Sequence, residues 1–169
     1  MIKKLEFLNK SLDKEDFESI LEEASDIYTS LVEHELLHLK LEKYSSEYSS
    51  ANAVEALGLD EELVNELVED YVAQMIKSLV QFEVKLEELE ESKKPDYTPF
   101  RELAHKNLGV ARNLRIENAE VLLYELMTQE NLDYLMACLE ALEVSTIKLN
   151  AKHACKTLKL IEIKDSFKV

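Results

Sequence analysis

From Asp13 to about Tyr44 apolar residues return at helical spacing. Phe17, Ile20, Leu21, Ala24, Ile27, Tyr28, Leu31 and Val32 form one stripe, which predicts a long amphipathic helix. Tyr44 to Ser50, with four serines and two tyrosines among seven residues, interrupts that pattern and sets a boundary near Ser50. A short helix over Ala51 to Leu57 stops at Gly58. Asp60 then stands where an N-cap is needed, with Glu61 and Glu62 at the favourable end of the next helix dipole. In that next helix Val68, Val72, Met75, Leu79, Phe82, Leu86 and Leu89 repeat at alternating steps of four and three, the seam of a helix packed in a bundle.

Lys93 to Tyr97, with Pro95, reads as a turn, and Thr98-Pro99 puts a capping hydroxyl before a proline at the first position of a helix reaching about Arg115. Ala119, Leu122, Leu123 and Leu126 mark a shorter helix, and Leu132, Leu135, Leu139 and Leu142 mark another from near Asn131. The predicted fold is therefore all-α. Residues 51–169 are expected to form an antiparallel up-and-down four-helix bundle, and residues 1–50 an N-terminal helical extension. In the tail from Asn150 to Val169, Leu158, Leu160, Ile161 and Ile163 fit a helix end or a short extended segment equally well.

Composition supports this reading. Two glycines and two prolines in 169 residues leave too little turn chemistry for an all-β or α/β chain. Cys138 and Cys155 form no C-x-x-C pair and lie in apolar, helix-like surroundings, as reduced thiols would. The start MIKKLEFLNK is basic but no apolar stretch follows it, and nowhere do eighteen apolar residues run together, so the chain is expected to be cytoplasmic. A net charge of -15 repels phosphate backbones and anionic headgroups, which leaves proteins as the expected partners, with no nucleic acid and no membrane.

On a helical wheel centred on His105, Phe100, Leu103, Val110, Ala111 and Leu114 fall opposite and predict the buried face, so His105 points outward beside Arg101, Leu108, Gly109 and Arg112. A glycine inside a helix costs about 1 kcal/mol against alanine and signals close approach by something else. Gly109 sits one turn from His105 on its own side. From Arg101 to Arg115 four basic residues face one acid, a local positive field in an acidic chain that favours a phosphoryl group on imidazole and a partner's acidic pocket.

The run Ala104-His105-Lys106-Asn107-Leu108-Gly109-Val110-Ala111-Arg112-Asn113-Leu114 resembles the phosphorylation helix of histidine-containing phosphotransfer (HPt) domains, whose pattern is His-x-Leu-Lys-Gly, small residues and then an Asn-Leu pair. The resemblance extends over about Ala51 to Lys148. It implies a phosphorelay carrier and not an enzyme in its own right. His105 would be the phosphoacceptor, Gly109 the point where a receiver domain approaches, and Arg101, Lys106, Leu108 and Arg112 the neighbouring contacts. The implied partners are a response-regulator receiver domain and a histidine kinase. The receiver supplies magnesium and a catalytic lysine, so no cofactor or metal of this chain's own is implied.

Two positions depart from the pattern: Asn107 puts an amide on the buried face, and Leu108 a leucine where an ammonium is usual. On this reading Leu108→Lys should raise phosphoryl occupancy and Asn107→Leu should raise stability. A binding module that keeps the fold and lacks transfer is the alternative these positions support.

Two other constellations compete. His34-Glu35-Leu36-Leu37-His38 matches H-E-x-x-H, but the sheet and third ligand of a zinc protease are missing, and His34 and His38 read as the polar end of the first helix's stripe. Glu35 to His38 and Glu102 to His105 are both Glu-x-x-His, as in di-metal bundles, yet such ligands project inward and His105 is predicted to face out. His153 reads as a surface residue. The N-terminal helix needs a surface to cover its stripe, which a homodimer, the bundle itself or another protein would provide.

Overall fold

Four helix starts among the described residues are fixed by short polar side chains. The computed structural model describes residues 16–39, 41 and 48–166. Asp13, Tyr44 and most of the serine-rich run lie outside the described residues. Helix α1 (Phe17–Glu33) starts where the Asp16 carboxylate accepts the Ser19 amide at 3.2 Å. Helix α2 (Ala51–Leu57) ends on Gly58, whose φ of 66° is left-handed. Asp60 accepts the Leu63 amide at 2.8 Å and opens α3 (Glu61–Glu91). Asn131 caps α6 (Leu132–Leu149) through Tyr134, and Asn150 caps α7 (Ala151–Ser166) through His153, each at 3.0 Å. Between them lie α4 (Thr98–Asn113) and α5 (Glu117–Thr128). The described residues are all-α, with no strand among them, and the ambiguous tail is helical from Ala151 to Ser166.

Two sequence expectations need correction. Thr98 is not the cap of α4. It is the first helical residue, and its amide is held by the Asp96 carboxylate at 3.0 Å. That hydrogen bond keeps Asp96 below the usual carboxylate range.

The second correction concerns α1, which stops at Glu33, well short of Tyr44. A continued helix would carry His34, Glu35 and His38 onto the stripe of Ile20, Ala24 and Leu31. The chain instead turns at His34, where the Leu36 amide bonds back to the Leu31 carbonyl at 2.9 Å. Leu36 and Leu41 enter the core, and His34, Glu35 and His38 stay exposed.

The seam residues of α3, from Val68 to Leu89, are all buried. At about 1.5 Å per residue α3 is roughly 45 Å long, and along that length it meets α2, α4, α6 and α7. Helix α6 is buried on nearly every side, Leu135, Ala137, Cys138, Leu139, Ala141, Leu142, Val144 and Ile147 all being core residues, because α1, α3, α5 and α7 surround it. Helix α5 bridges α4 and α6. The stripe of α1 finds its cover on α6 and α7 of the same chain and joins one continuous core. Cys138 and Cys155 are buried and lie outside any disulfide. Among the described residues no helix is long and apolar enough to cross a membrane.

The turn from α4 to α5 is a Schellman motif. The Ile116 amide reaches the Ala111 carbonyl at 3.0 Å and the Arg115 amide reaches Arg112 at 3.2 Å. The left-handed position is occupied by Arg115, at φ 58°, where glycine is usual. A side chain in that conformation costs about 1–2 kcal/mol. Arg115→Gly is therefore expected to raise unfolding stability by about 1 kcal/mol, read as a higher urea midpoint at unchanged slope.

Candidate functional site

Helix α4 has two covered flanks and one open face. Phe100, Leu103, Ala104, Asn107, Leu108, Ala111 and Leu114 are buried. Relative to the arc predicted from sequence, the buried face is turned by roughly 40°. Leu108, expected outside, is 3 % exposed, while Val110, expected inside, is 40 % exposed. The cause is that α4 is wedged between α3 and α5, whereas the wheel assumed a single surface opposite His105.

On the α3 side Phe100 meets Phe82 edge-on, with ring centroids 5.0 Å apart. Asn107, 2 % exposed, sits beside Ser78 of α3. Its amide donates to Ser78 Oγ at 3.0 Å and to the Leu103 carbonyl at 2.9 Å, the Ser78 hydroxyl lies 3.2 Å from Asn107 Oδ1, and Gln74 also donates to Ser78 Oγ at 3.2 Å. The amide that looked like a defect in sequence is thus a satisfied polar contact in the core.

The α5 side carries two ion pairs. Arg101 reaches Glu130, in the connection between α5 and α6, at 3.0 Å, and Arg112 Nε reaches Glu120 at 3.6 Å. Burial raises the Glu120 carboxyl, against the pull of Arg112 and Arg115. The Arg101 guanidinium also lies over the Tyr97 ring, 5.6 Å from its centroid, and the Tyr97 hydroxyl donates to the Glu130 carbonyl at 2.7 Å. Tyr48 ties in from the preceding segment by donating its hydroxyl to the Leu114 carbonyl.

His105 is exposed, as expected, and no described residue occupies its ring nitrogens with a hydrogen bond or ion pair. Lys106 is exposed on the neighbouring flank. Gly109 is exposed, and a Cβ added there would meet nothing within 4 Å, so nothing in the described chain explains the glycine by crowding. Of the predicted contact residues, Arg101, Lys106, Gly109 and Arg112 reach the surface of α4 with His105; Leu108 does not. Sequence reasoning missed Ser78, Tyr97, Glu120 and Glu130. Tyr97 lies one helical turn before Arg101, a readable spacing, whereas the other three are set by how α3 and α5 lie against α4.

The rival constellations do not assemble. His34 and His38 lie in turns and no longer share a helix face; His34 Nδ1 lies 2.8 Å from the Ser30 carbonyl. His38 Nε2 lies 2.9 Å from the Tyr134 hydroxyl, which donates to Glu125 at 2.6 Å. Burial and the Glu125 carboxylate push the Tyr134 phenol well above its ordinary range. Glu35, Glu102, His38 and His105 are all exposed, and no three His, Cys, Asp or Glu side chains gather as a metal would need among the described residues. His153 is half-buried.

No family model matches the chain, and no curated protein or solved structure matches it significantly.

Both substitutions suggested by the sequence motif now change sign or meaning. Leu108→Lys places an ammonium at a buried position of α4 and is expected to lower stability by about 2 kcal/mol or more. Asn107→Leu should cost about 1–2 kcal/mol alone, and about 1 kcal/mol less in a Ser78→Ala background. A double-mutant cycle by denaturant unfolding checks this; strict additivity would deny the Ser78–Asn107 contact its place in the core.

Proposed function

We propose that this chain is a histidine phosphotransfer protein that carries a phosphoryl group on His105 between receiver-domain aspartates. In this reading α3, α4, α5 and α6 are the four-helix bundle of the HPt type, α2 leads it, and α1 and α7 are additions on the far side of α3 and α6. The packing order of these helices supports it, since α4 bridges α3 and α5, and α6 bridges α5 and α3. The observation that carries the reading is the pairing of an exposed, unengaged imidazole with an unobstructed glycine one turn along the same helix face.

The transfer step is a displacement at phosphorus. The His105 Nε2 lone pair forms the N–P bond while the P–O bond to the receiver's aspartate breaks, and that electron pair leaves with the carboxylate. The proton on Nδ1 passes to solvent. A second receiver aspartate reverses the sequence. In-line geometry, the metal and the lysine come from the receiver. What this chain contributes is a nucleophile at fixed position, a surface on which a partner can lie close, and cationic side chains along α4.

One observation favours a binding module without transfer. Leu108 is buried, so the usual ammonium has no equivalent there, and Arg101 and Arg112 are each shared with a carboxylate. The two readings separate on incubation with a panel of receiver domains phosphorylated on aspartate. The relay predicts acid-labile, base-stable phosphate on this chain that is lost in His105→Gln; receiver binding with no label in any pairing would leave the binding module. Gly109→Ala should raise stability by about 0.5–1 kcal/mol because its Cβ has room, while Gly109→Trp should keep the fold and weaken receiver binding at least tenfold, measured by titration calorimetry.

A further inference from the structure

Arg101 stands one helical turn before His105, and residues four apart on a helix have Cβ atoms about 5–6 Å apart. Side chains on a helix lean toward its N-terminus, so the His105 imidazole leans toward Arg101 while Arg101 leans toward Tyr97. That lean is visible in the structure: the guanidinium lies over the Tyr97 ring with one terminal nitrogen on Glu130 at 3.0 Å. Its Nε is buried and has no hydrogen-bond partner. An arginine in a mature ion pair presents a two-pronged fork to its carboxylate. Here one prong is used and a donor is left over.

The Glu130 contact is also easily given up. The paired side chains are 40 % and 63 % exposed, and ion pairs at such exposure contribute little to stability. A phosphoryl group on imidazole offers three acceptor oxygens and up to two negative charges, a better match for a guanidinium than one exposed carboxylate. The other cations are worse placed. Lys106 lies a quarter-turn round α4, and Arg112 is two turns away and engaged with Glu120. Position 108, where the HPt pattern has its ammonium, is buried leucine.

We propose that Arg101 is the phosphoryl-contacting cation of this chain, and that Glu130 is its resting counter-ion, displaced when the group reaches His105. The inference rests on the phosphotransfer reading for its biological use, but its physical content concerns only phosphorylated His105. Glu130 thereby sets how available Arg101 is. The exchange is local, because the Tyr97 hydroxyl holds the Glu130 backbone carbonyl at 2.7 Å and keeps the connection between α5 and α6 in place when the carboxylate is released.

The test uses the full chain phosphorylated on histidine with phosphoramidate, and follows the phosphorus resonance of phospho-His105, assigned by its loss in His105→Gln, through a pH titration. The charged groups on and around α4 are Arg101, Glu102, Lys106 and Arg112, with Glu120 and Glu130 from the α5 side and Asp96 acting on Arg101 from the turn before α4. Arg101→Gln should move the phosphoryl titration up by about half a pH unit, Arg101→Lys should restore part of that, and Glu130→Gln should move it down by a similar amount. Circular dichroism confirms that each variant folds. Unchanged titration in both Arg101→Gln and Glu130→Gln overturns the proposal even if receivers transfer phosphate to His105. The expected shifts without transfer from any receiver would uphold the Arg101–Glu130 exchange and remove the relay reading. A His105 that takes phosphate from neither donor ends both.

Discussion

The contact between α3 and α6 is the wall against which the rest of the chain is arranged. Each of these helices carries apolar residues on more than one face, so neither can be covered by the other alone. Helices α4 and α5 close one side of the pair and α1 and α7 the other. Water is excluded from both sides only when all of these are present, which is why an N-terminal helix that looked like an appendage in sequence shares one core with the rest.

The site follows from that arrangement. Because α4 must fill the angle between α3 and α5, its buried arc is wide, and what remains outside is the strip bearing His105 and Gly109 with arginines along its α5 edge. Asn107 and Leu108, which break the expected motif, are both on the covered side, Asn107 bonded to Ser78 of α3 and Leu108 buried in the apolar core. The departures from the motif are changes on the covered side of α4, and the exposed histidine and glycine keep their spacing.

What could be read from the residues alone was whatever depends on one helix at a time. The seam from Val68 to Leu89, the stop at Gly58, the cap at Asp60 and a helix start near Asn131 were all legible, since periodicity and capping are local. The outward position of His105 was legible for the same reason. The end of α1 was not, because the turn at His34 is decided by which of Leu36 and His38 the core accepts, a matter of the surface that α1 meets. The exchange of Leu108 and Val110 between inside and outside, and the carboxylates facing Arg101 and Arg112, depend on where α5 lies, and no spacing within α4 encodes that.

The docking of α1 has a consequence for how the chain is made. Ile20 to Val32 are synthesised before any of the residues that will cover them, since α6 does not end until Leu149. At about 5–20 residues per second of translation, the apolar stripe waits on the order of ten seconds for its partner. Pairing such distant segments also requires closing a long loop, which slows folding relative to neighbouring hairpins of helices. The nascent α1 helix thus spends that interval without its native cover, open to chaperones and to aggregation.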